Sequence, residues 1–286
     1  MYSAVGVGAL LAVASLLANT ASTPQETASR SYLGFDRNVY PGDEALPVLR
    51  KTFAYTSYWL SPPPGEKTNT WSGKRELLRS QGFGFLVLYR GPDSRDLKNE
   101  AAAKTKGSHN GEEAVTAAKT EGFPAGTIIF LDIEEGGRLP ETYHAYLAAW
   151  SEPLTRANYH SGVYCSGIPV KEEPHVSITT AEDIRNHEAT REMTIWAYND
   201  ACPPSPGCVF PENPPPASKS GISYATVWQF AQSPRRKEYT SRCARTYHRD
   251  GNCYAPGDNA HAWFLDVNSA TSPDPSGGGK AELGTH

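Results

Sequence analysis

Asp132 and Glu134 stand one residue apart at the end of a dense apolar run, Thr127-Ile128-Ile129-Phe130-Leu131-Asp132-Ile133-Glu134-Glu135. Pro124-Ala125-Gly126 before it and Gly136-Gly137 after it bound the run, which reads as a strand buried on both faces. Side chains alternate along a strand, so Asp132 and Glu134 share a face with Phe130 while Leu131 and Ile133 point to the other. Two carboxylates this close repel. The charge on one raises the pKa of the other and can leave an acid beside an ionised neighbour. That is the equipment of glycosidic-bond hydrolysis, in which one carboxyl group protonates the leaving oxygen and a second assists. Glu135 lies on the opposite parity and reads as a solvated or loop-anchoring group.

A buried strand needs neighbours, and the chain supplies them in alternation with helices. Strands are expected at Tyr32 to Asp36, Phe53 to Leu60, Phe83 to Tyr89, the central run, Val163 to Cys165, Thr194 to Asn199, Tyr224 to Ala231 and Ala262 to Asn268. Helices are expected from Asp43 to Arg50, from Trp71 to Gln81 with Ser72 as cap, and from Asn110 as cap to Gly122. Two more run from Thr142 to Tyr159, broken or kinked near Pro153, and from Ala181 to Ala189 with Thr180 as cap. Eight strands with helices between the early ones point to an α/β fold. It is a TIM-like (β/α) barrel over residues 31–270, its last helices irregular or missing.

Such barrels carry their sites at the C-terminal ends of the strands. Polar residues gather there: Asp36, Tyr58 and Trp59, Tyr89 and Arg90, Asp132 and Glu134, Tyr198 with Asn199, Gln229, and Asp266 with Asn268. Tyr58, Trp59 and Tyr198 are candidates for stacking on a sugar ring, with Tyr89, Gln229 and Asp266 as further substrate contacts. Trp196, Trp228 and Trp263 sit within strands and read as core. Structural readings stand beside these. Asp36 could cap the following helix or pair with Arg37, and Asp266 could pair with Arg90, because ion-pair networks also place charges at strand ends.

The 286 residues, 38% hydrophobic and 20% charged, are enough for one large core, and a formal net charge of −4 gives no overall pull towards nucleic acid. The N-terminus, with its apolar segment from Ala4 to Ala18, reads as a secretion signal over residues 1–21, followed by a linker over 22–30. That segment is short for a membrane span, and no membrane association is expected after its removal. Five cysteines fit an oxidising compartment. Cys202 with Cys208, and Cys243 with Cys253, read as two local disulfides, leaving Cys165 as a buried strand thiol. The spacings are not zinc-like, and neither a metal nor a cofactor is called for. Arg235-Arg236-Lys237 with Arg242, Arg245 and Arg249 makes one insertion basic, as a solvated loop or a contact to an anionic wall polymer. Residues 271–286, rich in Gly, Ser and Pro, read as a disordered tail. No Gly-x-Ser-x-Gly elbow, His-Glu-x-x-His or phosphate-cradling loop occurs, which disfavours esterase, zinc protease and nucleotide chemistry.

Gly34-Phe35-Asp36, Leu131-Asp132-Ile133-Glu134, Trp196-Ala197-Tyr198, Trp228-Gln229-Phe230 and Leu265-Asp266-Val267-Asn268 come in the order and approximate spacing of family 25 glycoside hydrolases, the muramidase-type lysozymes. The chain resembles that family over residues 31–269. With Tyr32-Leu33 ahead of the first motif and the extra Glu135, it looks still more like the secreted glycoside-hydrolase-like domain of unknown function 1906. The resemblance implies a barrel with Glu134 as proton donor and Asp132 as base or as support for the oxocarbenium charge or a participating acetamido group. Asp36 and Asp266 would line the sugar site. The first motif continues as Arg37-Asn38, where the lysozymes carry a small residue. The expectation is a secreted, monomeric, lysozyme-like hydrolase of a cell-wall polysaccharide, with peptidoglycan as first candidate and with Glu134 as acid, Asp132 and Asp36 beside it, as the catalytic residues. A barrel that binds wall glycans without cleaving them is the second reading. A phosphodiesterase is the third, and it lacks the usual His pair or metal cluster.

Overall fold

The computed structural model describes residues 1–2, 30–202, 213–231 and 265–279. Residues 3–29, which hold most of the expected signal and linker, the basic insertion and residues 280–286 lie outside the described residues. Ten strands follow in chain order: β1 (Tyr32–Asp36), β2 (Tyr55–Trp59), β3 (Gly84–Arg90), β4 (Ile128–Asp132), β5 (His160–Ser166), β6 (Val170–Glu173), β7 (Val176–Ile178), β8 (Thr194–Cys202), β9 (Val227–Ala231) and β10 (Asp266–Ala270). Eight of them close into a barrel in the order β1-β10-β9-β8-β5-β4-β3-β2, and β6 and β7 form a separate hairpin. The fold is the TIM-like barrel that the alternation of strands and helices predicts. Between β8 and β9 the described residues hold only a 3₁₀ turn, Ala217–Ser220, where a full helix would stand in a regular barrel.

One strand runs the other way. β10 is antiparallel to both β1 and β9, whereas the other barrel pairs are parallel. Asp266 therefore reaches the C-terminal mouth from the start of its strand, opposite Asp36 in register. The expected strand, ending near Asn268, places the same residues at the mouth but in the wrong direction.

Five α-helices accompany the strands: α1 (Leu46–Leu49), α2 (Arg75–Ser80), α3 (Glu100–Thr120), α4 (Glu141–Arg156) and α5 (Thr180–Asn186). α3 begins ten residues before the expected Asn110 cap. Asn99 caps it instead, accepting the Ala102 N–H at 2.9 Å, and the Ala, Glu and Lys residues that follow are strong helix formers. Gly107 and Gly111 do not break it, because they let α3 lie on α4. A methyl at Gly111 would sit 2.5 Å from the Trp150 carbonyl oxygen. Ser72 caps nothing: α2 starts at Arg75 without a side-chain cap. α4 runs through Pro153 to Arg156. α5 is capped by Thr179, one residue before the expected Thr180, in a reciprocal box with Glu182. No described helix is long and apolar enough to cross a membrane.

Inside the barrel, Phe130 meets Trp196 edge to face at 5.8 Å, a contact between β4 and β8 that skips β5 and so crosses the interior. Outside it, Phe35, Phe53 and Phe83 form one aromatic cluster, and Tyr58, Phe85, Phe123 and Trp71 another. Each such ring contributes about 1.5–3 kcal/mol by burial.

The expectation of a disordered tail from residue 271 is corrected for residues 271–279. Ser276 is fully buried, its N–H bonding to the Phe85 carbonyl at 2.9 Å and its carbonyl accepting the Ile128 N–H at 2.8 Å. Asp274 Oδ1 accepts the Phe85 N–H and Ser276 Oγ the Val87 N–H, both at 2.9 Å. The buried Arg75 donates to the Gly278 carbonyl from Nη2 at 2.7 Å while lying over the Phe123 ring. The segment fills the wedge between β3 and β4 at the foot of the barrel, satisfying backbone groups that the ladder leaves open there.

Candidate active site

Alternation decides which side chains reach the mouth. Asp132 follows Phe130 on the inner face of β4 and is buried. Burial pushes its carboxyl well above the usual range; Glu134 and Asp36 add to the rise, and Arg90 opposes it. β4 ends there, so the alternation expected to carry on through Glu134 stops two residues short. Ile133 still donates its N–H to the Tyr164 carbonyl at 2.9 Å, and Glu134 stands exposed at the start of the loop. Glu135 anchors that loop, its Oε1 accepting the Ser94 N–H at 2.6 Å.

Asp36, at the end of β1, is held by two amides. Gln229 Nε2 donates to Oδ1 at 3.1 Å and to Oδ2 at 3.3 Å, and Asn268 Nδ2 donates to Oδ1 at 2.6 Å. Each amide is oriented in turn: Gln229 Oε1 accepts the Tyr164 hydroxyl and Asn268 Oδ1 the Trp196 indole N–H, both at 2.9 Å. A carboxylate only accepts, so both amides must present N–H to it, and their far ends need donors. Two donor chains therefore converge on Asp36. Gln229, expected as a substrate contact, is consumed in this network.

Tyr164 is the residue sequence reasoning missed. It is buried on β5 beside Asp132 in register, and its hydroxyl is held well above the ordinary range by burial and then by Asp36, Glu134, Asp132 and Asp266. The charges of four carboxylates thus act on one phenol. The signal was available: a tyrosine at the centre of Val163-Tyr164-Cys165 has the parity to face the barrel axis. Tyr198 leans on Tyr164 with ring centroids 5.1 Å apart, and its hydroxyl donates to the Glu134 carbonyl at 3.4 Å. Arg37 lies beside Asp266; burial lowers its pKa and Asp266 opposes that. Trp59 is buried at the same end, donating its indole N–H to the Arg37 carbonyl at 3.2 Å.

Tyr58 and Tyr89 do not join the site. Tyr58 points outward among Trp71, Phe85 and Phe123, with its hydroxyl bonded to Glu121 at the end of α3. Tyr89 likewise donates to Glu113 of α3 at 2.8 Å. Each precedes an inward-facing residue, Trp59 or Arg90, and adjacent residues of a strand cannot share a face. Cys165 is a buried free thiol whose pKa burial pushes up. The expected pairs of Cys202 with Cys208 and Cys243 with Cys253 lie outside the described side chains.

A family model described as Rv2525c-like, glycoside hydrolase-like domain matches residues 61–203, half of the chain. The chain belongs to that family. In this Rv2525c-like domain the matched segment runs from β3 to β8 and holds Asp132, Glu134, Tyr164 and Tyr198, while Asp36 and Asp266 come from outside it. No curated protein matches the chain. Among solved structures, an uncharacterized B. stearothermophilus protein is 20% identical over 84% of this chain and 95% of that one, with a TM-score of 0.50. The Mycobacterium tuberculosis Tat-secreted protein Rv2525c, in complex with L-tartrate, is 15% identical over 86% of this chain and 97% of that one, also at 0.50. A family 25 glycosyl hydrolase from Bacillus anthracis is 13% identical over 84% of this chain and 89% of that one, at 0.46. The two likenesses at 0.50 concern the fold alone, and what a site does is argued from its residues.

Proposed function

We propose that the protein is an exported glycoside hydrolase of a cell-wall polysaccharide, with peptidoglycan as the first substrate to test. The observation that carries this reading is the pairing of Asp132, buried and keeping its proton to higher pH than an ordinary carboxyl, with the exposed Glu134 beside it. Hydrolysis needs a proton delivered to the glycosidic oxygen and negative charge near the anomeric carbon. Glu134 is the carboxyl group that an arriving glycan meets first. When a sugar ring seats over the pair, the proton that Asp132 holds passes to Glu134. Glu134 then protonates the leaving oxygen, and Asp132, now ionised, supports the positive charge on the sugar or an acetamido group. Water completes the reaction at the anomeric carbon and returns a proton to the pair. Asp36, fixed by Gln229 and Asn268, is a preorganised acceptor at the sugar site. Export is supported by the apolar segment Ala4 to Ala18 and by the secretion of Rv2525c.

The engagement of Asp36 by two protein amides also suits a barrel that binds wall glycans without cleaving them. Release of reducing ends from purified peptidoglycan and a panel of wall glycans, compared between the wild type and Glu134→Gln, separates the two. A positioned general acid contributes about 10²–10⁴-fold, so a hydrolase loses that much turnover in the variant. Binding without turnover in the wild type selects the second reading.

A further inference from the structure

The β6–β7 hairpin is an element that the proposed chemistry leaves without a task. It springs directly from the mouth: Ser166, the last residue of β5, accepts the Ile168 N–H at Oγ at 3.1 Å, and Gly167 donates its N–H to the Tyr198 carbonyl at 2.8 Å. Its first strand then lies on the loop that follows Glu134. Val170 covers Gly136 and Gly137, and a β-carbon on Gly137, where φ is 80°, would come within 3.1 Å of Val170 Cβ.

One cation fastens the hairpin there. Arg138 donates to both carboxylate oxygens of Glu172, from Nε at 2.8 Å and Nη2 at 3.0 Å, and its Nη1 reaches Asp183 Oδ1 at 3.2 Å. Asp183 is itself fixed, accepting the Leu139 N–H at 2.9 Å and bonding the buried His144 at 2.9 Å. The Thr180 hydroxyl, one turn earlier on α5, lies 2.9 Å from the Gly137 carbonyl and 3.1 Å from that of Glu135. The loop after Glu134 is thus pinned to α5 from below and to the hairpin from above.

A two-stranded hairpin is marginal by itself, and this one spends little of its apolar surface on the core. Of the four large apolar side chains exposed among the described residues beyond Arg30, three, Ile168, Val170 and Val176, belong to the hairpin and its stem, at 43%, 41% and 47% exposure. Single exposed apolar residues need no explanation; three on one element at the rim of a site do.

We infer that the hairpin is a glycan-binding wall of the site and that Arg138 is the positioning residue that keeps it in register with the Glu134 loop. The inference rests on the proposed glycan substrate. The ligand it fits is an extended chain of N-acetylated pyranoses, whose C–H faces and acetamido methyl groups pack on aliphatic side chains as the chain leaves the mouth beside Tyr198. A mono- or disaccharide confined to the mouth gains little from it.

The test is cosedimentation of the full-length protein with purified insoluble peptidoglycan, for the wild type, Glu172→Ala and Val170→Asp, each checked for native fold by circular dichroism and melting. The half-saturating concentration is expected to rise about fivefold or more in both variants, roughly 1 kcal/mol. Where soluble glycan is turned over, the change appears in KM more than in kcat, a split that loss of folded protein does not produce. Equal half-saturation in all three proteins, or no binding by the wild type, overturns the inference. Weakened binding in the variants with no turnover in the wild type sinks the hydrolase reading alone and leaves the wall standing.

Discussion

Asn268 and Asp36 meet across the seam where the first and last barrel strands pair in opposite directions, the amide donating to the carboxylate at 2.6 Å while its oxygen takes the Trp196 indole N–H at 2.9 Å. One side chain thereby ties a core tryptophan to a candidate catalytic carboxylate. Asn268→Leu, close in volume, leaves the buried Trp196 indole N–H without its acceptor and removes one donor from Asp36, which keeps Gln229. An unpaired buried polar group costs about 1–3 kcal/mol, so a loss of that size in urea denaturation is expected, together with at least a tenfold fall in any glycan turnover.

Asp132 makes stability depend on pH. Its folded-state pKa is raised above the ordinary 3.8, chiefly by burial, so the folded chain binds this proton more tightly than the unfolded one. The associated stability is fully present below the unfolded value and is lost as pH rises through the folded pKa. Asp132→Asn copies the protonated shape and cannot ionise. It should match the wild type near pH 4 and become the more stable protein towards pH 8, by up to about 1.4 kcal/mol per pH unit within that window, while losing turnover. A stability difference independent of pH would contradict this account.

The two outward tyrosines and the inward one separate by assay. Tyr58→Phe and Tyr89→Phe delete single bonds to α3 and should cost about 0.5–1.5 kcal/mol of stability with glycan binding intact. Tyr198→Ala should weaken glycan binding about fivefold with a smaller effect on melting.

Gly111→Ala sets helix propensity against packing. Alanine gains about 1 kcal/mol over glycine within a helix. The added methyl would sit 2.5 Å from the Trp150 carbonyl oxygen, and backbone displacement of this kind costs about 1–3 kcal/mol. Packing wins, and a lower melting temperature is expected despite the better helix former.

Ser276→Ala removes the acceptor of the Val87 N–H at the foot of the barrel. The buried amide has no water to turn to, and a loss of about 1–3 kcal/mol should follow in urea denaturation. An unchanged midpoint would mean that the segment rests on the barrel without supporting it.

Asp36, Asp132, Glu134 and Asp266 were legible because each adjoins an apolar run, and barrel chemistry gathers at strand ends. The charges of all four act on Tyr164. Tyr58 and Tyr89 were misplaced for a reason visible in the sequence, since each sits next to a second candidate and a strand can turn only one of two neighbours inward. The direction of β10 could not be read, because a period of two is the same forwards and backwards. The hairpin gave no apolar alternation: Val170-Lys171-Glu172-Glu173 is exposed throughout and is held by Arg138 from a distant part of the chain. Residues 271–279 have the composition of a loose tail, and their order comes from open backbone groups on β3 and β4, which composition does not report.

The antiparallel seam also imposes an order of events on synthesis. β1 is synthesised before the other barrel strands, and one of its two edges has no partner until β10, the last of them, follows. Until then the nascent sheet carries two open edges, on β1 and β9, of the kind that recruit other chains. Ring closure comes last, and it is the step most exposed to wrong pairing.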